Sequence, residues 1–324
     1  MAAFGSDLRR EHTALMQAVG LIPLGQRTQI ELAGEDRAKF LHNLCTQEIR
    51  KLTPGSGAEA LLLDAKGHVQ FFVNVFCREQ SLLLETTAGE NQRLLAHLDR
   101  YLIRDDVVIT DRTPQWSELL LAGPRAVDLL PGAPSELFGN LDLTVAALNG
   151  ITLQVRRVDW LHSDGLLLAG PVAEMDAVAS LLQSQGAKLC SLQTLEIARV
   201  EAGTPVHGRD ITDKTLPQEL NRDARCISFV KGCYIGQETV ARIDALGHVN
   251  KLLCGLKFSS DTVPQQGQDL TVDDTVVGQV TSAVFSPRLE APLAMAYIKR
   301  AQASPGTELQ STVGPARVIT LPLA

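Results

Sequence analysis

Strand-length apolar runs recur along this chain in adjacent pairs closed by short turns, with amphipathic helical stretches between them, and that pairing limits the fold. Residues 29–33 alternate as a strand, and 60–63 and 69–76 read as two strands around the turn Asp64-Ala65-Lys66-Gly67. A further strand covers 81–86. Helical patterning covers 34–44, where Phe40, Leu41 and Leu44 share a face and acids stand at the start. It returns over 91–102, and a strand follows at 107–110. The first twenty or so residues show no clear period. Helices alternating with hairpins predict an α+β fold rather than a doubly wound parallel sheet. No glycine-rich turn joins a strand to a helix in the dinucleotide or P-loop manner.

Similar elements then repeat. Strands are expected at 118–122, 152–158 and 165–169, a short helix at 124–130, and helices at 173–185 and 191–200. The repeated order predicts two related α+β modules, approximately 20–115 and 116–248, separate or interwoven, within a region 1–248. Residues 203–231 lack periodicity and are rich in Pro, Asp and Asn, and a loop of that length inside a compact domain usually carries function. From 251 onward the texture changes to short strands at 251–258, 271–272, 276–285, 291–298 and 316–320, punctuated by glycine and proline. That pattern predicts a small antiparallel β-barrel or sandwich over 249–324.

A chain of 324 residues suits two or three domains, and 45% hydrophobic with 21% charged residues is enough for real cores. The net charge of −7 argues against a broad nucleic-acid surface. No apolar run approaches the roughly 20 residues that span a bilayer. Asp7, Arg9, Arg10, Glu11 and His12 interrupt any secretory stretch near the start. The expectation is a cytoplasmic protein with no membrane and no direct nucleic-acid partner. Six cysteines (Cys45, Cys77, Cys190, Cys226, Cys233 and Cys254) are dispersed without zinc spacing, which fits free thiols in a reducing compartment. Seven scattered histidines supply no metal site, although His207 and His248 flank the presumed site.

The octapeptide Lys231-Gly232-Cys233-Tyr234-Ile235-Gly236-Gln237-Glu238 concentrates the chemistry. It sets a thiol beside an ammonium and between glycines, and a neighbouring cation favours the reactive thiolate. On this reading Cys233 is solvent-reachable and more acidic than an ordinary thiol. Lys231 tunes it, and Gln237 and Glu238 orient the loop. The competing reading is a tight structural turn built on Gly232 and Gly236.

The octapeptide resembles the K-G-C-F/Y-x-G-Q-E signature of YgfZ-type folate-binding proteins, relatives of the glycine-cleavage T-protein. Further strings are similar to family motifs: Gly34-Glu35-Asp36 with Phe40-Leu41 and Thr46, Arg199-Val200-Glu201-Ala202-Gly203, Pro217-Gln218-Glu219-Leu220-Asn221, Gly278-Gln279-Val280-Thr281-Ser282, Ser286-Pro287 and Leu321-Pro322. The resemblance implies a ring-like body in which two α+β modules surround a folate-sized cavity and the barrel closes one side. It implies tetrahydrofolate or a derivative as cofactor. Glu201 would hold the pterin edge, since one carboxylate accepts two parallel N–H bonds. Arg242 would pair with a folate carboxylate, and Gln218 and Asn221 would belong to the binding region. One departure stands out: the stretch Gly67-His68-Val69-Gln70-Phe71-Phe72-Val73-Asn74 contains no acid where T-proteins carry a catalytic aspartate. The resemblance therefore implies an accessory protein supporting iron–sulfur enzymes or their assembly proteins, tRNA-modifying enzymes included, rather than a conventional aminomethyltransferase. The alternatives are a folate-dependent one-carbon transferase or demethylase, and a non-catalytic interaction scaffold.

Overall fold

A computed structural model describes residues 5–130, 141–162 and 165–323. Helix α1 (Ser6–Gln17) leads into β1 (Gly20–Gly25), β2 (Thr28–Ala33) and α2 (Arg37–Leu44). A meander of β3 (Gly57–Leu63), β4 (Val69–Cys77) and β5 (Ser81–Thr86) follows, then α3 (Asn91–Asp99) and β6 (Val108–Asp111). The next elements are β7 (Trp116–Ala122), β8 (Leu143–Leu148), β9 (Ile151–Val158), β10 (Gly165–Pro171), α4 (Met175–Ser184) and β11 (Lys188–Leu189). Helix α5 (Leu192–Ala202) precedes an irregular stretch containing the short α6 (Asp223–Cys226), and α7 (Gln237–Leu246) follows. The last unit holds β12 (Lys251–Phe258), β13 (Asp269–Val272), β14 (Thr275–Ser286), β15 (Ala291–Lys299), β16 (Glu308–Leu309) and β17 (Ala316–Ile319).

The fold is α+β, and its two body sheets are related. One has the order β3-β4-β5-β2-β6 and the other β8-β9-β10-β7-β1-β11. The orders correspond strand for strand, except that β1 is inserted between β7 and β11. The chain crosses from one sheet to the other within Gly25–Thr28, where Gly25 takes a φ of 71° that suits glycine. Leu15, Ile22, Phe76, Leu83, Leu120 and Leu167 fill one apolar core that joins the two sheets. Separate cores lie under α2 and α3 and under α4.

The C-terminal sheet, β13-β14-β15-β12-β17-β16, curls until its two edges meet. Thr271 and Gln310 exchange backbone hydrogen bonds of 2.9 and 2.8 Å, which nearly close an antiparallel barrel and cover its edge groups. Helix α5 packs its Ile197 and Val200 against barrel residues Leu253, Leu293 and Met295.

Several elements depart from the sequence expectation. The first segment forms α1 and β1, although α1 buries only His12 and Leu15 and so lacks a strong apolar stripe. Pro23 sits at a register shift of β1, which masked the strand. Strand β8 was not anticipated. The helix expected at 124–130 is a single 3₁₀ turn, Val127–Leu129, and the one expected over 91–102 stops at Asp99. Gln237 and Glu238 open α7 rather than continuing a loop.

Candidate functional site

The octapeptide loop is riveted to the end of α2. The Lys231 ammonium is buried and donates to the carbonyl oxygens of His42 at 2.5 Å, Cys45 at 2.6 Å and Gln47 at 3.0 Å. Those carbonyls lie at or just past the helix C-terminus, where acceptors lack intrahelical partners and a cation is favoured. Burial lowers the Lys231 pKa from its usual value. The Tyr234 ring lies 4.6 Å from the ammonium. Two backbone bonds, Ser228 N to Thr46 O and Ile235 N to Asn43 O, and one from Thr46 Oγ1 to Cys226 O complete the attachment. The ammonium is thus committed to carbonyls, and no contact with the Cys233 thiol accompanies them.

Cys233 is exposed, whereas Cys45, Cys77, Cys190 and Cys226 are buried and Cys254 is partly so. Cys226 is turned inward and donates to Glu59 Oε2 at 3.4 Å. Gly236 has a φ of 81°, and a Cβ there would stand 2.7 Å from Asp64 O. It is the close approach of the loop to the β3–β4 turn that requires glycine. Gly232 carries no such restriction, its nearest neighbour being His42 Nε2 at 3.9 Å. Gln237 Oε1 accepts from Tyr234 N at 3.3 Å, and Glu238 is exposed.

A cleft opens between the two body sheets and α5. Its wall includes Phe72 and Asn74 of β4, Glu85 of β5, Arg27 from the β1–β2 connection, Trp160 and Arg199. The alternation of β4 sends Phe72 and Asn74 to this side and packs Phe71 and Val73 into the core. Glu85 is fully buried. It accepts from Arg27 Nε at 2.5 Å and from Asn74 Nδ2 at 2.7 Å. Arg27 also stacks over Trp160 at 4.9 Å. Behind it, Glu118 accepts from Arg156 at 2.8 Å, and Arg156 further donates to Gln29 and Gln154. Burial, reinforced by the charge of Glu85, pushes the Glu118 carboxyl up to about 7.

Arg199 fixes the far wall. It donates to Asp210 at 2.8 Å, Ser282 Oγ at 2.6 Å and Thr204 O at 3.0 Å, joining α5, the 204–210 loop and the barrel. His207 also lines the cleft and stacks on Phe71, with centroids 5.9 Å apart. Burial lowers its pKa from the ordinary histidine value.

The other residues singled out from the sequence do not converge here. Glu201 is 2% exposed, and both of its carboxylate oxygens are occupied, by His12 Nε2 at 2.7 Å and by Ser286 Oγ at 2.5 Å. It clamps α1, α5 and the barrel together and is absent from the cleft wall, where the carboxylate is Glu85 instead. Gln218 is buried and donates to Val240 O at 2.8 Å, holding α7. Asn221, in the left-handed region with φ 56°, borders a second cleft beside Arg222 and Arg225. That cleft shares Thr204 with the first. Arg242 is exposed on α7, and His248 lies beside a further groove next to Arg300. Asp64 caps its own turn, accepting from Lys66 N and His68 N at 2.9 Å. Among the described residues no group of three or more His, Cys, Asp or Glu side chains is arranged to hold a metal.

Sequence reasoning passed over Arg27, Asn74, Glu85 and Trp160. A signal existed: Asn74 and Glu85 interrupt the apolar runs of their strands, and such polar positions are buried only with partners.

Residues 3–228 match the GCVT N-terminal domain, and residues 251–323 match the glycine cleavage T-protein C-terminal barrel domain. An aminomethyltransferase of Nostoc sp. is 27% identical, covering 98% of this chain and 88% of its own. One from Symbiobacterium thermophilum is 29% identical, covering 94% of this chain and 85% of its own. The crystal structure of glycine cleavage system aminomethyltransferase T from Bartonella henselae superposes with a TM-score of 0.85 at 21% identity. It covers 97% of this chain and 89% of the solved one, and the fold is the same.

Proposed function

The chain belongs to the glycine cleavage T-protein family, and from that premise we propose that it is a tetrahydrofolate-binding accessory protein of the YgfZ type that supports the assembly or repair of iron–sulfur clusters in client enzymes, tRNA-modifying enzymes among them. The family binds tetrahydrofolate. The cleft between the sheets has a mix of aromatic and polar walls that suits such a ligand. The pterin is assigned to the Asn74–Glu85 side. The tail is assigned to the second cleft near Asn221, Arg222 and Arg225, reached past Thr204.

The observation that carries the accessory reading is the chemistry of the β4 wall. Phe72 and Asn74 face the cleft, and neither can take a proton from a bound folate at neutral pH. Glu85 is the single carboxylate among the described residues of the wall, and an arginine and an amide hold its two oxygens. Such a group orients and neutralises; it is not a free base. Reactivity is left to Cys233, the exposed cysteine on a loop outside the cleft wall, where a partner protein rather than the folate meets it.

The second reading, a folate-dependent one-carbon transferase or demethylase, draws support from the contact of Glu85 with the cleft and from relatives named aminomethyltransferase. One set of assays separates the two. Wild type and Cys233→Ala should bind tetrahydrofolate alike. Neither should release ammonia and methylenetetrahydrofolate from an aminomethyl-loaded lipoyl carrier protein. Only wild type should restore iron–sulfur enzyme activity in cells lacking the native protein. Aminomethyl turnover at rates typical of enzymes would establish the transferase reading instead. Full complementation by Cys233→Ala at matched abundance would remove the thiol from the function.

A further inference from the structure

Hydrogen-bond acceptors without donors gather where α7 ends. Gln218 gives its amide nitrogen to Val240 O at 2.8 Å, and a backbone carbonyl only accepts, so the orientation of the amide is fixed and its oxygen is left over. That Oε1 is buried without a hydrogen-bond partner among the described residues, and Gln218 as a whole is 7% exposed. The groove that Gln218 lines also carries Asp223, the first residue of α6, and Asp244 in the last turn of α7. Asp223 Oδ1 is a second buried acceptor without a donor. Burial, then the charge of Asp244, pushes the Asp223 carboxyl up to about 6. The last turn of α7 holds no basic residue, and the helix dipole disfavours an acid there. His248 and Arg300 share this wall, and Arg300 donates to Gly247 O at 3.1 Å. Buried acceptors of this kind are unfavourable until a ligand supplies the donors.

We propose that this groove binds a primary ammonium group on a flexible chain, with Gln218 Oε1 and the carboxylates of Asp223 and Asp244 accepting its N–H bonds. An ammonium brings three donors, no acceptor and a compact positive charge, which matches two acids and one amide oxygen. Its charge also relieves the repulsion between the two carboxylates. A calcium ion suits the groove less well, since it takes about six to eight oxygen ligands. The groove shares no residue with the cleft assigned to the pterin, so the inference stands apart from the folate reading. Asn221 and Asp223 border both this groove and the second cleft. Helix α7 begins inside the octapeptide, so one helix carries the thiol loop at its start and the ammonium groove at its end. A lysine side chain of a protein and a free polyamine present the same group.

Amide NMR of the full chain tests this, with cadaverine and a blocked lysine, acetylated and amidated at its backbone ends, as probes at constant ionic strength. Both should shift the Gln218 side-chain amide and the backbone amides around Asp244 saturably. Tetramethylammonium, which has the charge but no N–H, should not. Asp244 is exposed, so Asp244→Asn should fold normally, and it should weaken both amines by about fivefold or more. Asp223→Asn should do the same and serves as the second variant. Saturation by both probes supports the site and assigns it to a lysine side chain; saturation by cadaverine alone supports the site and assigns it to a free polyamine. Equal shifts with tetramethylammonium, tighter binding of magnesium or calcium ions than of either amine, or undiminished affinity in both variants would overturn the assignment.

Discussion

Replacing Lys231 by methionine tests what the conspicuous lysine of the octapeptide does. The change keeps most of the side-chain volume, so it opens little cavity and isolates the loss of the ammonium. Three carbonyls at the end of α2 lose their donor. Hydrogen bonds to a charged group are worth about 1.5–3 kcal/mol each, and the relief of a buried ammonium offsets part of their sum. A net loss of about 2–3 kcal/mol follows. Urea unfolding should show it as a lower midpoint with an unchanged slope. The backbone bonds of Ser228 and Ile235 remain, so the loop should stay attached while the amides of residues 232–236 exchange faster. Alkylation of Cys233 should keep the shape of its pH profile. Unchanged stability together with a profile displaced to higher pH would refute this account, because it would place the ammonium against the thiol rather than in the carbonyl cradle.

Gly236→Ala should destabilise by about 1–3 kcal/mol in thermal or urea unfolding, from its positive φ and the 2.7 Å approach to Asp64 O, while Gly232→Ala should stay within about 0.5 kcal/mol. Glu201→Ala should lower stability by about 2 kcal/mol or more by stranding His12 and Ser286, and leave tetrahydrofolate affinity within about twofold; a tenfold loss of affinity at intact fold would return Glu201 to the pterin site. Because the folded Glu118 carboxyl is raised to about 7 from the usual 4.5, the folded state holds a proton that the unfolded chain has released. Its contribution is therefore favourable at low pH and lost as pH rises between about 4.5 and 7. Urea midpoints at pH 5 and pH 8 should show that slope in wild type, and Glu118→Gln should flatten it.

The sequence by itself determined what local pattern can carry. The paired strand runs with helices between them specified α+β modules. The short punctuated strands after residue 250 specified the barrel, and the ordered motifs specified the family. Periodicity encodes these because each element must turn an apolar face inward whatever it packs against. Conformational demands were legible too, as at Gly236. The absence of an acid along 67–74 needed no coordinates.

Tertiary structure decided which side chains meet. Helix α1 and strand β1 have weak patterns of their own and are held in place by contacts with α5 and β7, elements more than ninety residues away. Lys231 and Cys233 are two residues apart in sequence, yet the lysine runs into the carbonyls of α2 and the cysteine faces solvent. Glu201 sits in a family motif, but the fold engages both its oxygens with residues 189 and 85 positions distant. The Arg27–Glu85–Asn74 chain depends on a cross-strand register and an intersheet crossover that no local window contains. A buried polar residue stays in the fold only where its partners converge, and that convergence is a property of the assembled sheets.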